Sequence, residues 1–503
     1  MSYTDVRMAG FKDPRSWSPR GRRGALLVLL TAVVSILAAG PVQAAELHGN
    51  RVTIRGAPAP GPKRLDKVFL RKYGPSTAKT ILILTPGSPG SQGNYARLAP
   101  WLVQRVPGLA VWAVDRRSNA LEDISVFERD DAMSSLDYYL LGERVGGDTF
   151  KPVAGREAPY IRKWGAEVVM NDLHRVVHRA GRNGRGVILG GHSAGAVTVP
   201  AYAVWDFHGH PGYKDLDGML QIDGAEFGAF DAYLKGTDYA PPYMTKGQAK
   251  RGLARHNKQS EFGIAGSPLP VPLWTIGVLP EIACQFASED PQGKSVLQEV
   301  IPRRLRKYVG VPPEAITNEA FMGVFTTNDL ASAFQMRTGR LAAQGSPRRW
   351  INGPYSSVPS VCSTFTQEPG NGLEWYYSAR LDVDLFQAMP TLGPTGATRY
   401  LGLRPRHLHD VDIPLYAFQT SISDGGVLRG TKKFIRKSKV GSHWLYQDLQ
   451  MGHFDPLEDF PARNRFIQTV SPWLSDIVAG RDPGSRAAGG LKHELLPRAR
   501  ARW

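Results

Sequence analysis

The chain has 503 residues, 42% of them hydrophobic, a formal net charge of +17 and two cysteines. That length suits one large domain carrying an insertion, and neither cysteine sits in a metal-binding motif. No Lys/Arg block with interleaved aromatics is present, which argues against nucleic-acid readout. An acidic substrate or an anionic cell envelope remains a fitting partner for the basic surface.

Residues 1–44 read as an export signal. Arg20, Arg22 and Arg23 precede an apolar run from Ala25 to Ala39, and Val42-Gln43-Ala44 forms a small-x-small cleavage site. The run is short for a membrane span. Arg22-Arg23 loosely resembles a twin-arginine signal without its Phe. Loss of this segment removes six basic and two acidic residues and lowers the formal charge from +17 to +13. The expected location is outside the cell, by the general or the twin-arginine route.

Two strands are expected at 50–55 and 66–73, separated by the turn Gly56-Ala57-Pro58-Ala59-Pro60-Gly61. Thr80-Ile81-Leu82-Ile83-Leu84 is a continuous apolar run, as for a strand covered on both faces. A loop at 85–91 leads to a helix over 95–105, with Leu98, Trp101, Leu102 and Arg105 on one face. The run 109–114 is another strand, ending at Asp115-Arg116-Arg117, a cluster expected to organise the neighbouring loop. Val168, Val169, Leu173, Val176 and Val177 mark an amphipathic helix before the apolar run Val187-Ile188-Leu189. Leu220-Gln221-Ile222-Asp223 reads as the next strand. From 231 to 400 the alternation stops, with a helix-like stretch at 295–308. A structureless loop of that length is implausible, so an inserted cap is expected. Alternation resumes with a strand at 413–418 and a helix at 465–478.

This order of strands and helices implies a mostly parallel sheet with right-handed crossovers and helices on both faces. Sites on such sheets lie beyond the carboxyl ends of the strands. The expected divisions are a core in two parts, 45–230 and 401–479, a cap over 231–400, and a basic, disordered tail at 480–503.

The motif that carries chemistry is Gly191-His192-Ser193-Ala194-Gly195, between a buried strand and small helix-opening residues. It resembles the nucleophile elbow of the α/β-hydrolase superfamily. The order of that superfamily, nucleophile, acid, histidine, is matched by Ser193, Asp424 in Ser421-Ile422-Ser423-Asp424-Gly425-Gly426, and His453 in Met451-Gly452-His453-Phe454. The resemblance covers about 45–230 and 400–478. The chain is also similar in character to secreted esterase- or lipase-like hydrolases of high-GC Gram-positive bacteria.

The resemblance implies a serine nucleophile at Ser193, His453 as general base and acid, and Asp424 as the group orienting the imidazole. Asp223 is the alternative acid, at the end of the strand after the elbow. Asp448 and Asp455 stand too close to His453 in sequence to be favoured. The oxyanion donors expected are the N–H groups of Ala194 and Ser88; Pro89 has none. A phosphate-cradling role for the 87–93 loop is disfavoured because no Gly-Lys-Ser/Thr follows.

No cofactor and no metal are expected. The pairs His208/His210 and His407/His409 lack a third ligand at a recognisable spacing. Cys284 and Cys362 either form a disulfide, closing a loop of roughly 80 residues for about 4 kcal/mol, or do not. Trp375, Tyr376, Tyr377 and Phe386 suit either a hydrophobic substrate or the packing of the cap. The expected activity is hydrolysis of a small or lipid-like carboxylic ester. An amidase or exopeptidase with the same residues, and a non-catalytic binding protein on the same fold, are the alternatives.

Overall fold

A computed structural model describes residues 49–129, 131–235, 243–256, 262, 271–327, 335–366 and 372–486. The expected signal segment and the tail beyond 486 lie outside the described residues. Eight strands form the main sheet: β1 (Asn50–Arg55), β2 (Lys67–Tyr73), β3 (Thr80–Thr85), β4 (Leu109–Asp115), β5 (Gly186–His192), β6 (Gly218–Ile222), β7 (Leu415–Gln419) and β8 (His443–Gln447). Their spatial order is β1-β2-β4-β3-β5-β6-β7-β8. β2 runs antiparallel to both neighbours. The pairs from β4 through β8 are parallel. Every residue of β3 and β4 is buried, because helices cover both faces of these apolar runs.

Among the described residues, the helices of eight residues or more are α1 (Leu98–Arg105), α2 (Ala166–Ala180), α3 (Ala194–Ala203), α4 (Lys246–His256), α5 (Leu273–Glu289), α6 (Asn318–Thr327), α7 (Val358–Thr366), α8 (Gly426–Lys437) and α9 (Arg465–Val478). In α2 the expected face is the buried one, through Val168, Leu173, Val176 and Val177. α9 occupies the expected range. The helix expected from Tyr95 begins only at Leu98, after a separate turn at Gln92–Tyr95. The stretch 295–308 is not one helix. Pro302 separates Val296–Val300 from Arg303–Arg306, since a proline inside a helix removes a donor and clashes with the preceding turn. β8 and α8 were not foreseen; their short, mixed sequences carry a weak period.

The segment between β6 and β7 contains α4 to α7 and a hairpin, Gly339–Gly345 with Arg348–Asn352. It is woven into the core: Val278 and Ile282 join Leu82 and Ile188 on one side of the sheet, and Leu381 and Leu385 join Ile81 and Leu189 on the other. The described residues form one compact unit. A disulfide joins Cys284 of α5 to Cys362 of α7. Trp375, Tyr376 and Tyr377 are fully buried, and Trp375 packs edge-on against Tyr139 at 5.5 Å. These three aromatics pack the interior.

The expected disorder from 480 is corrected over its first residues. Arg486 N donates to His443 O (2.8 Å), Leu445 N donates to Arg486 O (3.0 Å), and Trp444 Nε1 donates to Pro483 O (3.0 Å). Unpaired groups on the edge strand β8 thus find partners in the chain that follows α9.

Candidate active site

Ser193 stands between β5 and α3 with φ 56° and ψ −123°. A β-carbon on Gly191 would lie 2.4 Å from Gly195 C, and one on Gly195 would lie 2.1 Å from Thr85 O. Only glycines allow strand, helix and the β3 end to meet this closely. The Ser193 N–H donates to Ile222 O at 2.9 Å, which holds the strained turn against the end of β6.

The residue after Ile222 is Asp223. It is fully buried, and its Oδ2 lies 2.6 Å from His453 Nδ1. Thr420 N donates to Asp223 Oδ1 at 2.7 Å, and the Thr420 hydroxyl donates to Oδ2. Both carboxylate oxygens are therefore held, and one faces the imidazole. With Nδ1 engaged, Nε2 is the ring nitrogen left for proton exchange.

This corrects the expectation for Asp424. Asp424 is exposed, with φ 45°, and its carbonyl accepts from Arg429 Nη1 at 2.8 Å. The loop holding it turns toward solvent to start α8, so its carboxylate faces water while the Nδ1 position is filled by Asp223. Ser421 of the same loop binds the His453 loop instead, donating through N (3.2 Å) and Oγ (3.0 Å) to Met451 O.

His192 was not singled out from sequence. It is buried, and its Nε2 lies 2.9 Å from the His453 backbone carbonyl. A carbonyl only accepts, so that nitrogen carries the proton. Burial and the adjacent His453 hold the His192 pKa well below the usual histidine value. It is thus a neutral strut beneath the His453 loop, with ring centroids 4.3 Å apart. A polar residue directly before the elbow serine was the available signal.

The loop after β3 flanks Ser193 on the other side. A β-carbon on Gly87 would lie 2.9 Å from Ser193 Cβ and 3.5 Å from its Oγ. Ser88 follows, and its Oγ donates to Asp382 Oδ2 at 2.9 Å. Ala194 opens α3, where first-turn N–H groups have no acceptor within the helix. Arg116 clamps the loop: its guanidinium donates to Pro86 O (2.6 Å), Gly87 O (3.0 Å) and Gly90 O (3.2 Å), and pairs with Glu374 at 2.8 Å. Asp115 accepts from Ser91 Oγ (2.8 Å) and Gln92 N (2.6 Å); burial raises its pKa to about 6. Arg117 points elsewhere, to Asp172 and Asp66. Two of the three residues of the Asp115-Arg116-Arg117 cluster therefore organise the loop.

The His-x-His pairs do not assemble. His208 and Gly209 form a hairpin turn with φ 57° and 93°, so His208 and His210 leave in different directions. Arg404 Nη1 lies 3.1 Å from His208 Nδ1. His407 faces Asp206, and His409 Nδ1 donates to Lys437 O at 2.7 Å.

No family model matches the sequence, and no curated protein matches it. Among solved structures the chain is similar to an epoxide hydrolase from an endophytic Streptomyces, at 13% identity and TM-score 0.39, over 88% of this chain and 98% of that one. It is similar to a soluble variant of monoglyceride lipase from Saccharomyces cerevisiae, at 12% identity and TM-score 0.39, over 86% and 96%. It is also similar to a thermophilic esterase from Thermogutta terrifontis, at 14% identity and TM-score 0.36, over 85% and 99%. The strand order with its single antiparallel strand, and the strained serine turn after the fifth strand, give this chain the α/β-hydrolase fold.

Proposed function

We propose that the protein is a serine hydrolase that cleaves a carboxylic ester through an acyl-enzyme on Ser193. The observation that carries this reading is the buried His453–Asp223 contact of 2.6 Å behind a serine held at positive φ. Ser193 Oγ attacks the ester carbonyl while His453 Nε2 takes its proton. The oxyanion is received by the N–H groups of Ala194 and Ser88. The protonated His453 then gives its proton to the leaving alkoxide, and water repeats the sequence to release the acid. Asp223 keeps the imidazole in one tautomer and stabilises its cationic form. The N-terminal signal supports export, and a small or lipid-like ester is the substrate class.

A second reading, cleavage of an amide next to a free amine, draws on one observation. Glu122 accepts from Trp375 N at 2.8 Å near the clamped loop, beside Glu374, which pairs with Arg116, and burial first, then the neighbouring carboxylates, hold the Glu122 pKa well above normal. An ammonium group would relieve that repulsion.

The test is a fluorophosphonate probe on the purified protein beside Ser193→Ala, with esters of increasing acyl length and a peptidyl-amide panel. Ser193-dependent labelling with ester turnover is expected. Labelling with amide turnover alone moves the assignment to the amidase. A folded sample without labelling refutes the nucleophile and leaves a binding protein.

A further inference from the structure

At the other end of α3 from Ser193, three histidines gather around one aspartate. His174 and His178 lie one turn apart on α2. Asp215 belongs to the turn Gly212–Asp215, and His210 to the short strand His210–Pro211. His174 Nδ1 is 3.4 Å from Asp215 Oδ2, and His178 Nε2 is 3.6 Å from the same oxygen. The three ligand atoms lie within 4.8 Å of one another. His210 Nε2 contacts the other carboxylate oxygen at 2.8 Å.

The two histidine–aspartate separations match a specific geometry. Ligands about 2.0–2.1 Å from a tetrahedral zinc ion stand about 3.4 Å apart. Three atoms so spaced leave room for one ion at their centre. We propose that His174 Nδ1, His178 Nε2 and Asp215 Oδ2 bind a single divalent transition-metal ion of the zinc class, with a water in the fourth position.

Several features favour that ion over simple ion pairing. His174 stacks on Phe207 with centroids 3.9 Å apart and planes 6° apart, which fixes the ring. The Tyr202 hydroxyl lies 3.0 Å from His174 Nδ1 and 3.4 Å from Asp215 Oδ2, so it can donate to Asp215 once Nδ1 is coordinated. His210 holds the second oxygen of Asp215, the supporting contact that orients a ligating carboxylate. Two imidazoles and a carboxylate suit zinc, nickel or copper better than calcium or magnesium. Arg175 is the nearby opposing charge. The ion would tie α2 to the chain between α3 and β6. α3 has ten residues and so spans about 15 Å, which separates this site from Ser193.

The test is calorimetric titration of Zn²⁺ alone into chelator-treated, purified protein, with the thermal unfolding midpoint read with and without the ion. About one equivalent should bind and raise the midpoint. His178→Ala, whose side chain is 57% exposed, and Asp215→Asn should each weaken binding by at least roughly 10-fold. His407→Ala, on the separate Asp206 cluster, should leave it unchanged. Absence of stoichiometric binding, or equal affinity in His178→Ala and Asp215→Asn, overturns the proposal. Loss of binding in His407→Ala alone also overturns it, by moving the ion to the other cluster. Ester hydrolysis is read in parallel and should not depend on the ion, so this site stands or falls separately from the nucleophile.

Discussion

Asp223 and His453 are 230 residues apart in sequence and 2.6 Å apart in space, and both are buried. Parallel pairing of β5, β6 and β7 makes this contact. β6 ends beside the serine strand, and the loop after β8 drops His453 onto it. Asp223→Asn should lower kcat by roughly 10³–10⁴-fold with little change in KM, because the imidazole loses its tautomer control. Asp424→Asn should stay within twofold of wild type. The reverse pattern in steady-state kinetics would return the acid's role to Asp424.

Ser193→Ala should reduce turnover by at least roughly 10³-fold and abolish fluorophosphonate labelling while leaving the unfolding midpoint unchanged. Residual turnover equal to wild type would mean the observed activity comes from a contaminant or another residue.

His192 supports the His453 backbone through a single donated hydrogen bond. His192→Phe keeps a ring but loses the donor. Its kcat should fall roughly 10–100-fold through misplacement of His453, with KM within twofold. His192→Gln, which restores a donor, should recover part of the loss. A change in KM alone would assign His192 to substrate contact instead.

Glu226 is buried, with its pKa raised by burial to about 7. A raised carboxyl pKa means that the folded state holds its proton more tightly than the unfolded chain. The associated stability is present below pH 4.5 and is lost as pH rises through about 7. The loss is on the order of 3 kcal/mol. Glu226→Gln should be less sensitive to pH across this window, gaining on wild type in urea unfolding between pH 5 and pH 8. Parallel pH dependence in the two proteins would show that Glu226 ionises freely.

The disulfide between Cys284 and Cys362 closes a loop across 78 positions. In the chain-entropy model this contributes about 4 kcal/mol. Replacing both cysteines by alanine should lower the denaturation midpoint, with ester turnover retained if the site stays intact. An unchanged midpoint would place the stabilisation elsewhere.

The buried strands were legible because period and composition act locally. Ile81–Leu84 and Val187–Leu189 are apolar on every position, and only a sheet covered on both faces accommodates such runs. The serine elbow was legible for the same reason, since its glycines answer to contacts within a few residues and one neighbouring strand. His453 followed from chain order. The acid did not. Asp223 and Asp424 both follow apolar strands, and their sequences do not say which loop turns inward. That depends on Thr420 capturing one carboxylate while the start of α8 carries the other into solvent. Helices of the insertion stayed hidden because α5 carries Pro280 inside it, where a local pattern reads a break, and because Val296–Val300 and Arg303–Arg306 are short. The sequence by itself determined the elbow that presents Ser193, the candidate partner His453 and most of the alternation of strands and helices. Tertiary packing decided which aspartate meets His453, the strut at His192 and the meeting of His174, His178 and Asp215. Each of these depends on distances between segments that no local pattern encodes.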